Sequence, residues 1–201
     1  ADQRELPPDS DPKFVFTAHS AWCNFEKSSN SLEVKLVRPE ITKAEWQDEE
    51  GSSTSKGLVG RPLKLVAETK DMEGGVTFWI YDDKGRQVAS LGADIEGDKA
   101  EAEWTYHWDG TPLKEKPKFK FKVTGNRCKK VESSEVEISQ KLTLYILDFE
   151  ENKYDLNKLV LTGPGDYNNE LSLDDNGKIE EEDLVPGIYI LKIEESGESN
   201  V

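Results

Sequence analysis

The last sixty residues constrain the fold of this chain more than any other part. Their apolar residues alternate with polar ones, as in Leu142, Leu144 and Ile146, and turn sequences interrupt the alternation. One turn is the Asn-Gly pair at 176–177, and another is the Pro-Gly corner at 186–187. A hydrophobic period of two suits a strand with one buried face, whereas a helix needs a period of about 3.6 residues. The segment therefore predicts a small antiparallel β-sandwich.

Residues 140–195 also resemble a known group of domains, the carboxypeptidase-regulatory, Cna-B and transthyretin-like domains. In that group an acidic-Asn-Gly turn precedes a Leu-x-Pro-Gly-x-Tyr sequence and a final strand. Here the turn is at 174–177, and the second sequence runs from Leu184 to Tyr189. The resemblance implies a compact, non-catalytic β module.

Residues 41–139 form a second region of alternating sequence, in which turn residues separate short apolar runs every eight to twelve positions. In the run from Val76 to Tyr81, for example, every second residue is predicted to be buried. About seven such strands are typical of an immunoglobulin-like or fibronectin-like sandwich. A row of three lysines predicts the solvated face of an edge strand, where lysine discourages pairing with other sheets; these are Lys118, Lys120 and Lys122.

The sequence thus predicts an all-β chain of two tandem sandwiches, an immunoglobulin-like or fibronectin-like one followed by a transthyretin-like one, with an N-terminal β-arm. The predicted divisions are a linker at 1–13, a β-arm or hairpin at 14–40, an immunoglobulin-like sandwich at 41–139, a transthyretin or Cna-B-like sandwich at 140–196 and a tail at 197–201. Within the arm, the Ser-Asn cluster at 28–31 predicts a turn before a strand that starts at Leu32.

The net charge of −15 argues against nucleic acid as a partner, because such affinity comes mainly from lysines and arginines that neutralise phosphates. Residues 141–201 alone contain 15 acidic and 5 basic residues. An acidic surface keeps a protein soluble. Membrane insertion is not expected either, because no run of eighteen apolar residues occurs in the sequence.

The first residues of the chain, Ala1 to Pro8, have neither the basic nor the apolar region of a signal peptide. Their polar, proline-containing composition favours a fragment that follows a preceding domain. The two cysteines, Cys23 and Cys128, are far apart in sequence, so both a disulfide and two free thiols remain open. The oligomeric state also remains open.

No catalytic, cofactor or metal site is predicted from the sequence. Its two histidines, His19 and His107, lie in different segments, and no Gly-x-Ser-x-Gly nucleophile turn occurs. A dense group of oxygen-bearing side chains at 174–176 and 180–183 leaves calcium binding open, although its spacing differs from that of the twelve-residue calcium loop. We therefore expect a protein that is not an enzyme.

Aromatic residues supply the candidate binding surface. Alternation puts Trp79 and Tyr81 on the outer face of their strand, and Trp108 follows a strand that ends near Tyr106. These three residues are the candidates for contact with a partner protein or a glycan, since flat aromatic rings stack on sugars as well as on protein surfaces.

The first two-thirds of the chain, about 14–139, resembles the sandwich extensions that follow the β-helical needle of VgrG-type spike proteins in phage-tail-like contractile injection systems. The resemblance rests on residues 19–23, 28–36, 38–40, 57–60 and 77–81. It implies a type VI secretion or related apparatus in which the module presents or docks an effector, and hence a protein that is secreted or injected from a bacterium. The alternatives are a carbohydrate-binding or adhesive module, and a hydrolase with its site in the groove between the domains.

Overall fold

The chain divides into two units, Ala1–Arg38 and Pro39–Val201, and each is described by itself. The computed structural model describes the backbone of four short strands in the first unit, and residues 38–126, 128–147 and 158–194. In the first unit, β1 (Lys13–Phe14) pairs antiparallel with β4 (Leu32–Glu33), and β2 (Thr17–His19) pairs antiparallel with β3 (Glu26–Ser28). Nested antiparallel pairs are the arrangement of a β-hairpin.

The second unit consists of strands and turns, and no helix, hence none that could cross a membrane, occurs in its described residues. The all-β prediction is confirmed. The strands up to residue 147 are β5 (Glu40–Gln47), β6 (Lys56–Leu58), β7 (Pro62–Lys70), β8 (Gly75–Asp82), β9 (Gln87–Glu96), β10 (Lys99–Thr105), β11 (Lys118–Gly125), β12 (Val131–Glu132) and β13 (Val136–Tyr145). Those after residue 157 are β14 (Lys158–Gly163), β15 (Tyr167–Leu171), β16 (Lys178–Leu184) and β17 (Ile190–Glu194).

One large sheet of ten strands curls to form both layers of the main sandwich. Its order is β16-β13-β11-β8-β9-β10-β7-β5, with β12 beside β11 and β6 beside β13. The bend lies in β9, whose early residues pair with β8 while Ile95 and Glu96 pair with β10. Because β9 belongs to both layers, the sheet folds over on itself and encloses a core.

Aromatic side chains from both layers meet in this main core. Trp46 of β5 is fully buried, and its ring centroid lies 4.8 Å from that of Phe121 in β11. Phe121 also contacts Phe78 of β8, with a centroid separation of 5.5 Å. The indole Nε1 of Trp46 donates a hydrogen bond of 3.1 Å to the carbonyl oxygen of Ser134, so burial of this ring leaves no polar atom unpaired.

The predicted lysine row is exposed, but its assignment to an edge strand is wrong. The strand that carries it, β11, pairs with β8 along one side and with β12 and β13 along the other. The alternation in β11 reports only which face is solvated, because Phe119, Phe121 and Val123 are buried on the opposite face. The alternation does not show which strands pair with the two sides of β11.

A second, smaller core lies between the three-stranded sheet β15-β14-β17 and the ribbon of β13 and β16. Its buried residues are Leu159, Leu161, Leu171 and Ile179. The corner before β17 is fixed by Tyr189, whose hydroxyl donates a hydrogen bond of 2.8 Å to the carbonyl oxygen of Val185. The Tyr189 ring also packs on Gly163, where a Cβ atom would clash with it.

The two cores share strand β13. Its first residues pair with β11 and β6, and residues from Gln140 onward pair with β16. Val136 and Ile138 are buried in the main core, whereas Leu142 and Leu144 pack on the second core. The division predicted between residues 139 and 140 therefore falls inside a continuous strand, and there is no linker at this point.

Replacing Phe121 with alanine should destabilise the protein by about 3–5 kcal/mol, because the substitution removes ring contacts in a fully buried site and leaves a cavity. Equilibrium denaturation at 25 °C measures the change in the free energy of unfolding. Lys120→Ala, at the neighbouring exposed position of the same strand, is the matched control and should change that free energy by at most about 0.5 kcal/mol. Equal destabilisation by both variants would contradict the assignment of Phe121 to the core.

Candidate functional site

The outer surface of β8 and β11 contains the two aromatic residues predicted to bind a partner. Trp79 and Tyr81 lie on the face of β8 that points away from the buried Phe78 and Ile80. In the register of the sheet, Trp79 is opposite Lys122 and Tyr81 is opposite Lys120. We call this surface the aromatic–lysine face and define it by Trp79, Tyr81, Lys120, Lys122 and Thr124.

Contacts within the aromatic–lysine face hold its rings in place. The indole Nε1 of Trp79 donates a hydrogen bond of 3.0 Å to Oγ1 of Thr124. The Nζ atom of Lys122 lies 5.3 Å from the centroid of the Tyr81 ring, within the range of a cation–π contact. Side chains that are already ordered lose less conformational entropy on binding, so such a face is suited to partner recognition.

The lysines of this region differ in their ionic partners. Lys122 lies 3.4 Å from a carboxylate oxygen of Glu132, and Lys118 lies 3.4 Å from one of Glu135. Lys120 is exposed and has no ion pair within the described part of the chain. The ammonium group of Lys120 is therefore the one on this face that is free to pair with an acidic group of a partner.

The third predicted residue, Trp108, is not part of this face. It follows β10 and lines a groove of about 620 Å³ together with Gln140 of β13 and Gly187 of the Pro-Gly corner. The indole Nε1 of Trp108 donates a hydrogen bond of 2.7 Å to the carbonyl oxygen of Thr111. The structure thus brings Trp79 and Tyr81 together and places Trp108 at the boundary between the two cores.

Ion pairs and a β-bulge hold this boundary together. β16 is bulged opposite β13, and Asp183 in the bulge has a left-handed φ of 60°. Oxygens of its carboxylate lie 2.7 Å from Nζ of Lys116 and 3.7 Å from Nζ of Lys56. Lys116 also lies 3.2 Å from Glu137, so one partly buried ammonium group connects β13 and β16.

Part of the acidic group at 174–176 and 180–183 has partners within the protein. Asp174 Oδ1 accepts hydrogen bonds of 2.8 Å from the backbone amides of Asn176 and Lys178, which closes the Asn-Gly turn. Glu180 pairs with Lys141 and Lys178. The described residues include no group of three or more His, Cys, Asp or Glu side chains that could hold a metal ion.

Where the structure shifts the pKa of a carboxyl group, the shift in the described residues is downward. Hydrogen bonds from Lys141 and then Lys178 lower the pKa of Glu180 from 4.5 to about 2, and a hydrogen bond from Lys116 lowers that of Asp183. The pKa is also lowered for Glu45, Asp82 and Asp109. Carboxyl groups of this kind stay ionised at neutral pH, whereas a general acid needs a raised pKa.

The remaining candidates from the sequence have simpler surroundings. His107 is exposed and lines the same groove as Trp108. Cys128 is half-buried and packs against the main core. Cys23 and the side chain of His19 lie outside the described residues, so the pairing of the two cysteines stays open.

No protein-family model and no curated protein matches the chain. Among solved structures, the β-glucuronidase of Bifidobacterium dentium complexed with coumarin-3-O-glucuronide is similar to 54% of this chain, at 15% identity and a TM-score of 0.38. The Bacillus anthracis TIE protein is similar to 96% of this chain, at 11% identity and a TM-score of 0.32. The chain spans 19% of the length of the first protein and 36% of that of the second. Similarity at this level gives no evidence about function.

The sequence predicted that Trp79 and Tyr81 share the outer face of one strand, but it did not predict their alignment with the lysines. The alternating Lys-Phe-Lys-Phe-Lys run of β11 and the Phe-Trp-Ile-Tyr run of β8 each identify a solvated face. Only the pairing register shows that the two faces are one surface. The neighbours of Trp108 were not predicted from the sequence either, because Arg61 and Gln140 come from distant segments.

The charge network around Glu180 predicts a specific acid sensitivity. Because the pKa of Glu180 is lowered from 4.5 to about 2 in the folded state, this group stabilises the fold above pH 4.5, and the contribution is lost as the pH falls towards 2. Glu180→Gln should lower the melting temperature at pH 6 and lose less stability than the wild type between about pH 4.5 and 2. Thermal melts followed by circular dichroism across this range measure the effect.

The matched control is Glu101→Gln, which changes an exposed glutamate of β10 that has no ion pair within the described residues. Its curve of melting temperature against pH should keep the slope of the wild type. A Glu180→Gln curve that also runs parallel to the wild type from pH 4.5 to 2 would contradict the role of the lysine pairs.

Proposed function

We propose that this chain is a non-enzymatic structural and protein-binding module of a secreted or injected bacterial assembly. The observation that carries the proposal is the aromatic–lysine face. It combines two fixed rings with a free ammonium group on the outer side of a sheet, backed by the main core. Trp and Tyr are enriched in protein-binding hot spots, and Trp79 and Tyr81 are half-buried residues on the outer face of the sheet.

The shared strand supports a role as a rigid spacer. Force or torque applied to one core passes to the other through the backbone of β13 and the ion pairs of Asp183. A flexible linker would instead let each core reorient freely. In the assembly that we propose, this rigidity would hold the aromatic–lysine face at a fixed position relative to the second core.

The specific setting that we propose follows from the resemblance of residues 14–139 to spike extensions. In that setting the module extends a spike protein and presents or docks an effector. An acidic patch with an apolar centre on the partner would complement Lys120 together with Trp79 and Tyr81.

Carbohydrate binding is the second candidate function, and the fixed Trp79 ring favours it. The hydrogen bond from its Nε1 atom to Oγ1 of Thr124 orients the indole on the sheet. An aromatic ring held in this way can stack on the apolar face of a sugar. On a glycan array, saturable binding that is lost in Trp79→Ala would favour carbohydrate binding over the role of a structural and protein-binding module.

Affinity capture from secreted fractions of the source bacterium, analysed by mass spectrometry, tests the main proposal. The wild-type chain should recover a spike, baseplate or effector protein, and Trp79→Ala/Lys120→Glu should reduce recovery at least about tenfold, as loss of a hot spot does. Lys99→Glu, an exposed lysine on β10, is the charge-matched control and should leave recovery unchanged. The proposal fails if no such protein is recovered, or if the double variant recovers it as well as the wild type does.

A further inference from the structure

The groove beside Trp108 differs in chemistry from the rest of this acidic chain. It lies at the boundary of the two cores, and its polar and aromatic lining consists of Arg61, His107, Trp108, Gln140, Lys141 and Thr143. The chain as a whole contains 41 acidic and 26 basic residues, yet among the described residues no Asp or Glu lines this groove. Its volume of about 620 Å³ lies within the usual range for small-molecule sites.

Hydrogen-bond donors in the groove are available to a ligand. The Oε1 atom of Gln140 accepts a hydrogen bond of 2.9 Å from the backbone amide of Gly187, which leaves the NH₂ group of Gln140 as a donor without a partner in the described part of the chain. Within the described part of the chain Arg61 has one ion pair, to Glu49, and at 3.8 Å it is a long and exposed contact. A ligand carboxylate could replace that contact with a bidentate pair.

Two further features limit which ligand fits. Lys141 adds little free positive charge, because its ammonium group is already paired with Glu180 and Glu182. The indole Nε1 of Trp108 donates a hydrogen bond to the carbonyl oxygen of Thr111, which orients the ring as an apolar surface of the groove. The groove thus offers one ring surface, one guanidinium group and several neutral donors.

The geometry points to a binding site for a sugar that bears a carboxylate group, of the uronic-acid class. The Trp108 ring would stack on the apolar face of the sugar, Arg61 would pair with the carboxylate, and the Gln140 amide would donate to a hydroxyl or ring oxygen. A neutral sugar would leave the guanidinium group of Arg61 without a charged partner in the ligand, so this groove favours an acidic sugar. The site is separate from the aromatic–lysine face and does not depend on the proposed protein-binding function.

Isothermal titration calorimetry of the full chain tests this inference with three probes. These are a galacturonate oligosaccharide, the neutral galactose oligosaccharide of the same length and linkage, and a glutamate-rich peptide. We expect the galacturonate oligosaccharide to bind at least about tenfold more tightly than either of the others, the effect of one charge-assisted hydrogen-bonded pair. Trp108→Ala should weaken that binding at least about tenfold, and Arg61→Gln should remove the preference for the acidic over the neutral sugar.

Two control variants keep the test specific. Arg86→Gln removes an arginine of similar exposure that pairs with Asp82 in the turn after β8, and Trp79→Ala removes the ring of the aromatic–lysine face. Both should bind the galacturonate oligosaccharide like the wild type. Equal affinity for the neutral sugar, tighter binding of the peptide, no binding of the acidic sugar, or unchanged binding by Trp108→Ala would each overturn the inference.

Discussion

The pairing of β13 with partners from both cores is the constraint on which the rest of the second unit depends. Residues from Val136 to Ser139 are held by β11 and β6, and residues from Gln140 to Tyr145 by β16. Alternate residues of this one strand are apolar on the buried face, except for Gln140 at the point where one core ends and the other begins. Its side chain accepts the amide hydrogen of Gly187 and so fixes the corner of the second core.

This arrangement also explains where the surface features lie. A strand that continues from one sandwich into the next brings the turn after β6, the segment after β10 and the Pro-Gly corner to one boundary, and a groove forms between them. The bulge at Asp183 lets β16 follow β13 past the boundary between the cores. The ammonium group of Lys116 neutralises the carboxylate of Asp183. The aromatic–lysine face, in contrast, depends only on the register of β8 and β11 in the main sandwich.

The sequence predicted the strands well because alternation, turn glycines and buried aromatic residues are local signals. The Asn-Gly turn is present, with Gly177 at a φ of 71°, and the run from Val76 to Tyr81 is a strand with the predicted buried face. The Asn-Gly turn also shows the limit of such signals, because it joins β15 and β16, which belong to different sheets and do not pair. Pairing, register and the shared strand depend on contacts between distant segments, which a single sequence does not encode locally.

The same limit applies to the candidate sites. Trp79, Tyr81 and Trp108 could be proposed from the sequence because strand alternation is a local signal, and the structure leaves all three half-buried. Their grouping into two separate surfaces was not predictable, since Lys120 is about forty positions from Tyr81 and Gln140 is about thirty from Trp108. The lysine row shows the same effect, because its exposure was predicted correctly and its position in the sheet was not.

Native-state hydrogen exchange of the β13 amides, followed by NMR, tests the central claim most directly. If β13 couples the two cores into one cooperative unit, its hydrogen-bonded amides before and after Gln140 should exchange with the same free energy, equal to that of global unfolding. Amides of residues 142–145 that exchange by a separate, lower-energy opening, while those of 136–139 remain protected, would show that the second core unfolds independently and would contradict the account.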